Sequence, residues 1–429
     1  MMNKRVVLSA FLGNTLEFYD YSLFGALSFL LAPLFFPSSD PLTSLFASVT
    51  VFSMGLIARP LGGLLFGYIG DTKGRKRALA LSMSCMSIAS LMIAVVPTYN
   101  QVGILAPIIL ICARLLQGVS AGGEYNGAAI LSLEHQEYHS GIISGILSSS
   151  AASGLLLAAI VGYIFSNPNL PPWAWRIPFL FGLFIGLLGL YIRTQLSESP
   201  LFQKQSAQNH PSYSLFKIFK ENRKSMMFTF FIGGQTSLIA YLLFISIPVL
   251  LKSKISTLTP EYSFICHSVA LLAFALSAIG AGVLSKRFRF EKIMISSCLV
   301  MPFFFSAFVT LVGTLSATQL LLSHLIFGCL IGIHAGPQHA LFQTLFPIHS
   351  RYRGTSFSFS FGTGVLSALT THIAFNLSSA PWNSILWIAL TSFCSAVSLL
   401  IILKNNFTSS ISIDLPQIVD ERRTLCCQH

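Results

Sequence analysis

Charge is what this sequence lacks most. Asp, Glu, Lys and Arg together make up 9% of its 429 residues, against 53% hydrophobic residues, whereas soluble domains carry about 25% charged residues. That deficit excludes an ordinary soluble domain and, with a mean hydropathy of +0.72, indicates an integral membrane protein. A disulfide framework is also absent. Of the eight cysteines, Cys85, Cys112, Cys266, Cys298, Cys329 and Cys394 lie in apolar runs, none forms a C-x-x-C pair, and Cys426 and Cys427 close the tail. The sequence contains no H-E-x-x-H metal motif and no G-x-x-x-x-G-K-[ST] phosphate loop. No nucleophile–base constellation or cofactor fingerprint stands out either. These absences leave a metalloenzyme, a cofactor enzyme and an ATP-driven pump without support, and no cofactor or metal is expected.

What is present is a succession of apolar runs long enough to cross a bilayer, each about 20 residues or more. They fall at 6–36, 43–70, 78–97, 103–134, 141–166 and 177–196, then at 224–251, 261–285, 293–313, 318–347, 355–378 and 382–403. The expected fold is an all-α integral membrane protein of twelve transmembrane helices in two six-helix bundles. Its divisions are an N-terminal bundle at 1–196, a central cytoplasmic loop at 197–223, a C-terminal bundle at 224–403 and a short tail at 404–429. Placing the N-terminus inside puts 21 of the 26 basic residues on the cytoplasmic side. Only Arg176, Lys252 and Lys254 fall on the other side, and Arg59 and Arg114 lie within spans. This positive-inside bias sets both termini in the cytoplasm. It also explains the net charge of +12 without a nucleic-acid partner.

The informative residues are the charges that remain inside the apolar runs: Glu17, Asp20, Arg59, Arg114 and Glu124. A charge at bilayer depth costs roughly 2.5–3.5 kcal/mol even on the lenient insertion scale, so it must face protein or a water-filled cavity. Glu17 and Asp20, with Asn14 and Tyr21, lie along one broad helical face. Three carboxylates against two guanidiniums leave one acid without a full-time partner. Such a group can take and release a proton as its neighbour is freed or occupied, which is the physical basis of coupled transport. Arg114 and Gln117, one turn apart, suit a substrate carboxylate, which a guanidinium grips as a fork. In the second half, the stretch Gly332-Ile-His334-Ala-Gly336-Pro337-Gln338-His339 is expected to break its span and turn freed backbone groups toward a cavity. His334 and Gln338 share a face there, and histidine titrates near neutral pH.

Two segments repeat at half the chain length. GYIGDTKGRKR at 67–77 matches GVLSKRFRFEK at 282–292, and SGIISG at 140–145 matches RGTSFS at 353–358. Parallel six-helix repeats with a midplane site are one plan of secondary transporters. The first segment, with Gly67, Asp71, Gly74, Arg75 and Lys76, resembles the loop signature of the major facilitator superfamily. It reads physically as a charge latch at the cytoplasmic mouth, built on glycines that admit a close neighbour. Thr72 replaces the usual basic residue of the signature, and Lys286 occupies the position of Asp71 in the second copy.

The stretches GNTLEFYDYSLFG (13–25), ARPLGGLLFGYIGD (58–71), RLLQGVSAGGEYNGA (114–128), WAWRIPF (173–179) and FPIHSRYRG (346–354) resemble the metabolite:proton symporter branch of that superfamily, which carries proline and betaine, α-ketoglutarate, shikimate and citrate. The resemblance implies a multi-pass protein of the bacterial inner membrane, working with a small-molecule substrate, protons and lipid but no obligatory protein partner. It implies proton-coupled uptake of a small carboxylate-bearing metabolite or zwitterion, proline- or betaine-like, driven by the proton gradient. A dicarboxylate is the alternative substrate; a proton-driven efflux antiporter, or a non-transporting membrane protein or enzyme, are the alternative functions. By analogy with a first-helix Asp and fourth-helix Arg in sugar porters, Asp20 is the expected proton carrier and Arg114 its switching partner, with Glu17 next. Asn14, Tyr21, Arg59, Gln117, Glu124, Tyr125, His334 and Gln338 are the expected substrate-site residues.

Overall fold

The computed structural model describes residues 4–136, 139–207, 215–243, 247, 250–251, 255, 259–375 and 381–405. Every regular element among them is helical. The first half consists of α1 (Lys4–Ala26), α2 (Ser28–Phe35), α3 (Pro41–Thr72), α4 (Arg75–Val95), α5 (Tyr99–Val102), α6 (Leu105–Glu134), α7 (Ser140–Phe165) and α8 (Arg176–Thr194). Two short helices follow, α9 (Pro200–Ala207) and α10 (Leu215–Glu221). The second half holds α11 (Arg223–Tyr241), α12 (Pro260–Leu284), α13 (Phe290–Leu311), α14 (Ala317–Ala335), α15 (Gln338–Leu345), α16 (Arg351–Phe375) and α17 (Pro381–Lys404).

Nine helical segments among the described residues are long and apolar enough to cross a membrane, or ten if α1 and α2 form one span bent by 60°. Helices α11 and α16 take the seventh and eleventh places; α16 is rich in Ser and Thr, and the expected seventh run continues past α11 into residues outside the described set. The bend between α1 and α2 has a local cause. The Ser28 hydroxyl donates to the carbonyls of Phe24 (3.0 Å) and Gly25 (2.7 Å), competing with the main-chain ladder. Large apolar side chains such as Phe184, Leu276 and Phe303 point outward, as lipid-facing positions should.

Helices of the first half pack around α1, α4 and α6, and those of the second around α11, α13 and α14. Each half has its own buried apolar cluster, one centred on Phe24, Leu110 and Phe179, the other on Phe274, Phe305 and Phe327. The halves meet chiefly along two helix pairs, α3 with α16 and α7 with α12. Glycines permit both approaches. A Cβ on Gly63 or Gly67 would strike the backbone of Ser356 or Arg353, and one on Gly145 would strike Ala278. Within the first half, Gly55, Gly62, Gly118 and Gly122 bring the backbones of α3 and α6 together. The WAWRIPF segment ties α8 to α4. Arg176 donates to the carbonyls of Ala94 (2.9 Å) and Val96 (2.8 Å), satisfying the end of α4, and stacks on Trp175.

Candidate functional site

Between the halves lies a cavity of about 1090 Å³, running from Asp40, Thr43, Thr259 and Ser263 at the outer helix ends down to Arg59, Tyr125 and Gln338. Its walls carry the aromatic rings of Phe18, Tyr21, Phe52, Tyr241, Phe274 and Phe359. Among the described lining residues Arg59 is the only guanidinium or ammonium. It is 5% exposed, its Nε has no protein partner, and its guanidinium lies 5.6 Å from the Tyr21 ring centroid. Beside it the floor is polar. Gln338 donates to the Tyr125 hydroxyl of the first half (3.4 Å) and accepts from Thr236 of the second (2.8 Å). Of the expected substrate-site residues, Tyr21, Arg59, Tyr125 and Gln338 therefore meet in one cavity. Thr236 and the wall aromatics other than Tyr21 carried no signal, because aromatic residues and threonines in apolar helices look like packing.

Asn14, Gln117, Glu124 and His334 are buried outside that cavity. His334 sits behind the wall of the second half, with Nε2 at 3.2 Å from the Ile232 carbonyl and Nδ1 at 3.6 Å from Cys298 Sγ. The chain does break between α14 and α15, but the freed carbonyls do not turn toward the cavity as expected. Ala335 and Gly336 accept from Ser148 (2.7 Å) and Ser144 (2.6 Å) of α7, because α7 packs directly against this break.

The single polar stripe expected on α1 is divided. Phe18, Tyr21, Ser22 and Gly25 face the cavity, whereas Leu16, Glu17 and Asp20 line a separate void of about 10 Å³ with residues of α4, α6 and α8. Asp20 accepts from the Ser90 hydroxyl on α4. Arg114 is an electrostatic neighbour of Asp20, yet no ion pair joins them among the described residues. Arg114 instead donates to the carbonyls of Tyr21 (3.0 Å) and Phe52 (3.3 Å) and to Gln117 Oε1 (2.6 Å). Gln117 in turn donates to Ser90 (3.4 Å). A relay thus runs from Arg114 through Gln117 and Ser90 to Asp20. Arg114 also faces the rings of Tyr21 and Phe52 at 4.6 and 4.9 Å, directly behind the cavity wall.

The expected charge count is also corrected. Arg193, assigned to the cytoplasmic loops by its position, is 2% exposed and forms an ion pair with Glu124. Glu124 further accepts from Ser82 (2.5 Å). Three guanidiniums, not two, accompany the three embedded carboxylates.

At the cytoplasmic end the loop-motif residues meet the second half. Asp71 accepts from Arg75 (3.1 Å), from the backbone N–H groups of Tyr352 (3.1 Å) and Arg353 (3.0 Å) and from Arg353 Nε (3.3 Å). It thereby caps the start of α16. Arg75 reaches Glu134 (3.3 Å) and the Ile348 carbonyl (2.8 Å), and Arg351 reaches Glu134 (3.1 Å). Gly67 lies against Arg353. Gly74 adopts φ 110°, and the Arg75 and Lys76 N–H groups that follow bind Glu198. Lys76 Nζ donates to the Thr194 carbonyl (2.8 Å). Among the described residues this end is closed and the cavity reaches the opposite helix ends, an outward-facing arrangement.

Helical halves closing on a central cavity, with a charged seam at one mouth, define a membrane carrier of the major facilitator superfamily. The chain belongs to the sugar (and other) transporter family, whose profile matches residues 6–228. It is similar to the proline/betaine transporter of Salmonella typhimurium strain LT2, with 29% identity over 86% of this chain and 77% of the relative. It is 30% identical to the inner membrane metabolite transport protein YhjE of Escherichia coli K12, over 86% and 87% of the two chains. It is 28% identical to the glycine betaine/proline/ectoine/pipecolic acid transporter OusA of Dickeya dadantii, over 86% and 77%. Among solved structures, the proton:xylose symporter XylE bound to 6-bromo-6-deoxy-D-glucose has the same fold, with a TM-score of 0.79 at 16% identity over 93% of this chain and 95% of that one.

Proposed function

We propose that the chain is a proton-coupled symporter that takes up a small zwitterion bearing one carboxylate, of the proline or betaine kind, across a bacterial inner membrane. The observation that carries this reading is the pairing of an aromatic-walled cavity with one buried guanidinium at its polar floor. Arg59 holds the substrate carboxylate, helped by Tyr125, Gln338 and Thr236. The quaternary or secondary ammonium lies against Tyr21, Phe52 and Tyr241, whose ring faces attract a cation. A dicarboxylate fits less well, since its second charge would sit among aromatic faces without a partner. The names of the relatives point to the same substrate class.

Coupling follows from the wall that Arg59, Tyr21 and Arg114 share. A substrate pressing on Tyr21 and Phe52 alters the groups that hold Arg114, and the Gln117–Ser90 relay carries that change to Asp20. Closure of the outer mouth then requires the inner seam to part, which breaks the contacts of Asp71 and Glu134 across the halves. Uptake into proteoliposomes tests both parts. Proline or betaine should accumulate under an inward proton gradient, while prolinamide and choline, which lack the carboxylate, should not compete. Arg59→Gln should weaken substrate binding at least tenfold. Asp20→Asn should lose proton-driven accumulation while keeping counterflow. Competition by choline as strong as by betaine would remove the carboxylate clamp, and full accumulation by Asp20→Asn would remove Asp20 from coupling.

A further inference from the structure

Asp20, Glu17 and Glu124 share a void that is separate from the substrate cavity, enclosed by α1, α4, α6 and α8. Its volume of about 10 Å³ is close to the least that holds one water molecule. Asp20 Oδ1 and Glu17 Oε2 are buried without a protein partner. Asp20 Oδ1 lies against α8 at Gly182, where a Cβ would strike it. A buried carboxylate oxygen left unpaired costs at least as much as a lost hydrogen bond, and one water molecule in this void would offset that cost.

The groups around it have an order. Asp20, Glu17 and Gly13 follow one another along α1 at spacings of three and four residues, which stacks them toward the cytoplasmic end. A Cβ on Gly13 would meet the Arg193 guanidinium. Arg193 pairs with Glu124 in the last turn of α8. Arg59 on the cavity floor is also an electrostatic neighbour of Glu17, as are Glu124 and Arg193. Of the described guanidinium and carboxylate groups lining the large cavity, Arg59 is the one that neighbours Glu17.

We propose that the proton reaches the cytoplasm through the interior of the N-terminal half, from Asp20 by way of a bound water to Glu17 and out past the Glu124–Arg193 pair, without entering the substrate cavity. The Asp20 carboxyl gives its proton to the water, and the water gives one of its own to the Glu17 carboxylate. Movement of Arg193 away from Glu124 then opens the cytoplasmic end. Arg59 links the two paths. A substrate carboxylate bound there offsets part of the positive field at Glu17, so a proton on Glu17 and a solute in the cavity favour each other. This path rests on the role of Asp20 proposed above.

The test uses the full chain in proteoliposomes, with proline as the solute and counterflow, proton-driven accumulation and solute-induced proton uptake as readouts. Glu17→Gln should retain counterflow and lose accumulation and proton uptake at least tenfold. Wild-type accumulation by Glu17→Gln, or loss of counterflow together with accumulation, would overturn the path. If Asp20→Asn accumulates normally, the coupling reading itself fails; if Asp20→Asn fails and Glu17→Gln behaves as wild type, only the internal path fails. Should Glu17→Gln not fold, wild-type protein carrying isotope-labelled glutamate decides by infrared difference spectroscopy. An isotope-shifted carboxylic C=O band that changes on solute addition supports the path, and its absence overturns it.

Discussion

Arg114 is held directly behind the cavity wall without lining the cavity itself. It donates to two carbonyls and one amide while three aromatic rings surround it. A guanidinium can do this because its donors are fixed in a fork, whereas an ammonium is a compact point charge. Arg114→Lys is therefore expected to reduce transport at least tenfold although the charge is kept, and retention of wild-type transport rates in proteoliposomes would separate Arg114 from the relay. At this scale the sequence was partly transparent. Asp20, Glu17 and Arg114 stood out because charge inside an apolar run is costly. Arg193 did not, since an arginine at the end of a span reads equally well as a positive-inside residue. Ser90 was invisible, because a serine in a membrane helix gives no sign of its partner.

Helix α6 illustrates the next scale. Its glycines at 118 and 122 face the backbones of Gly55 and Arg59 on α3, and this close approach fixes Arg59 beside the cavity. Gly122→Ala would push a methyl group into the Arg59 carbonyl and the Gly63 amide nitrogen, main-chain atoms that cannot step aside. Overpacking of this kind costs about 1–3 kcal/mol, so the purified variant should melt at a lower temperature and bind substrate more weakly. An unchanged melting temperature would mean that the two helices can separate freely. The break between α14 and α15 was legible from Gly336 and Pro337. Its consequence was not, because the serines of α7 that donate to the freed carbonyls come from nearly 190 residues away in the chain.

For the whole molecule, the cytoplasmic seam is where charged groups tie the two halves together. Asp71 and Glu134 draw Arg75, Arg351, Arg353 and the start of α16 together across the halves. Hydrogen bonds to a charged group contribute roughly 1.5–3 kcal/mol each, enough to shift a balanced two-state equilibrium by tenfold or more. Asp71→Asn should therefore move the population toward the inward-facing state. Spin labels at Thr43 and Thr259, which flank the outer mouth, should then report a shorter distance, and an unchanged distance distribution would remove Asp71 from the latch.

The sequence alone determined that this is a helical membrane protein with basic loops inside, because apolar runs of bilayer length and the positions of lysine and arginine are properties of the chain order. It also determined which residues must avoid lipid. Only the tertiary structure decided where those residues go, dividing one helix face between a solute cavity and a buried carboxylate void. The reason is geometric: helical periodicity fixes the angle of each side chain about its own axis, but which neighbour it meets depends on how the other helices pack.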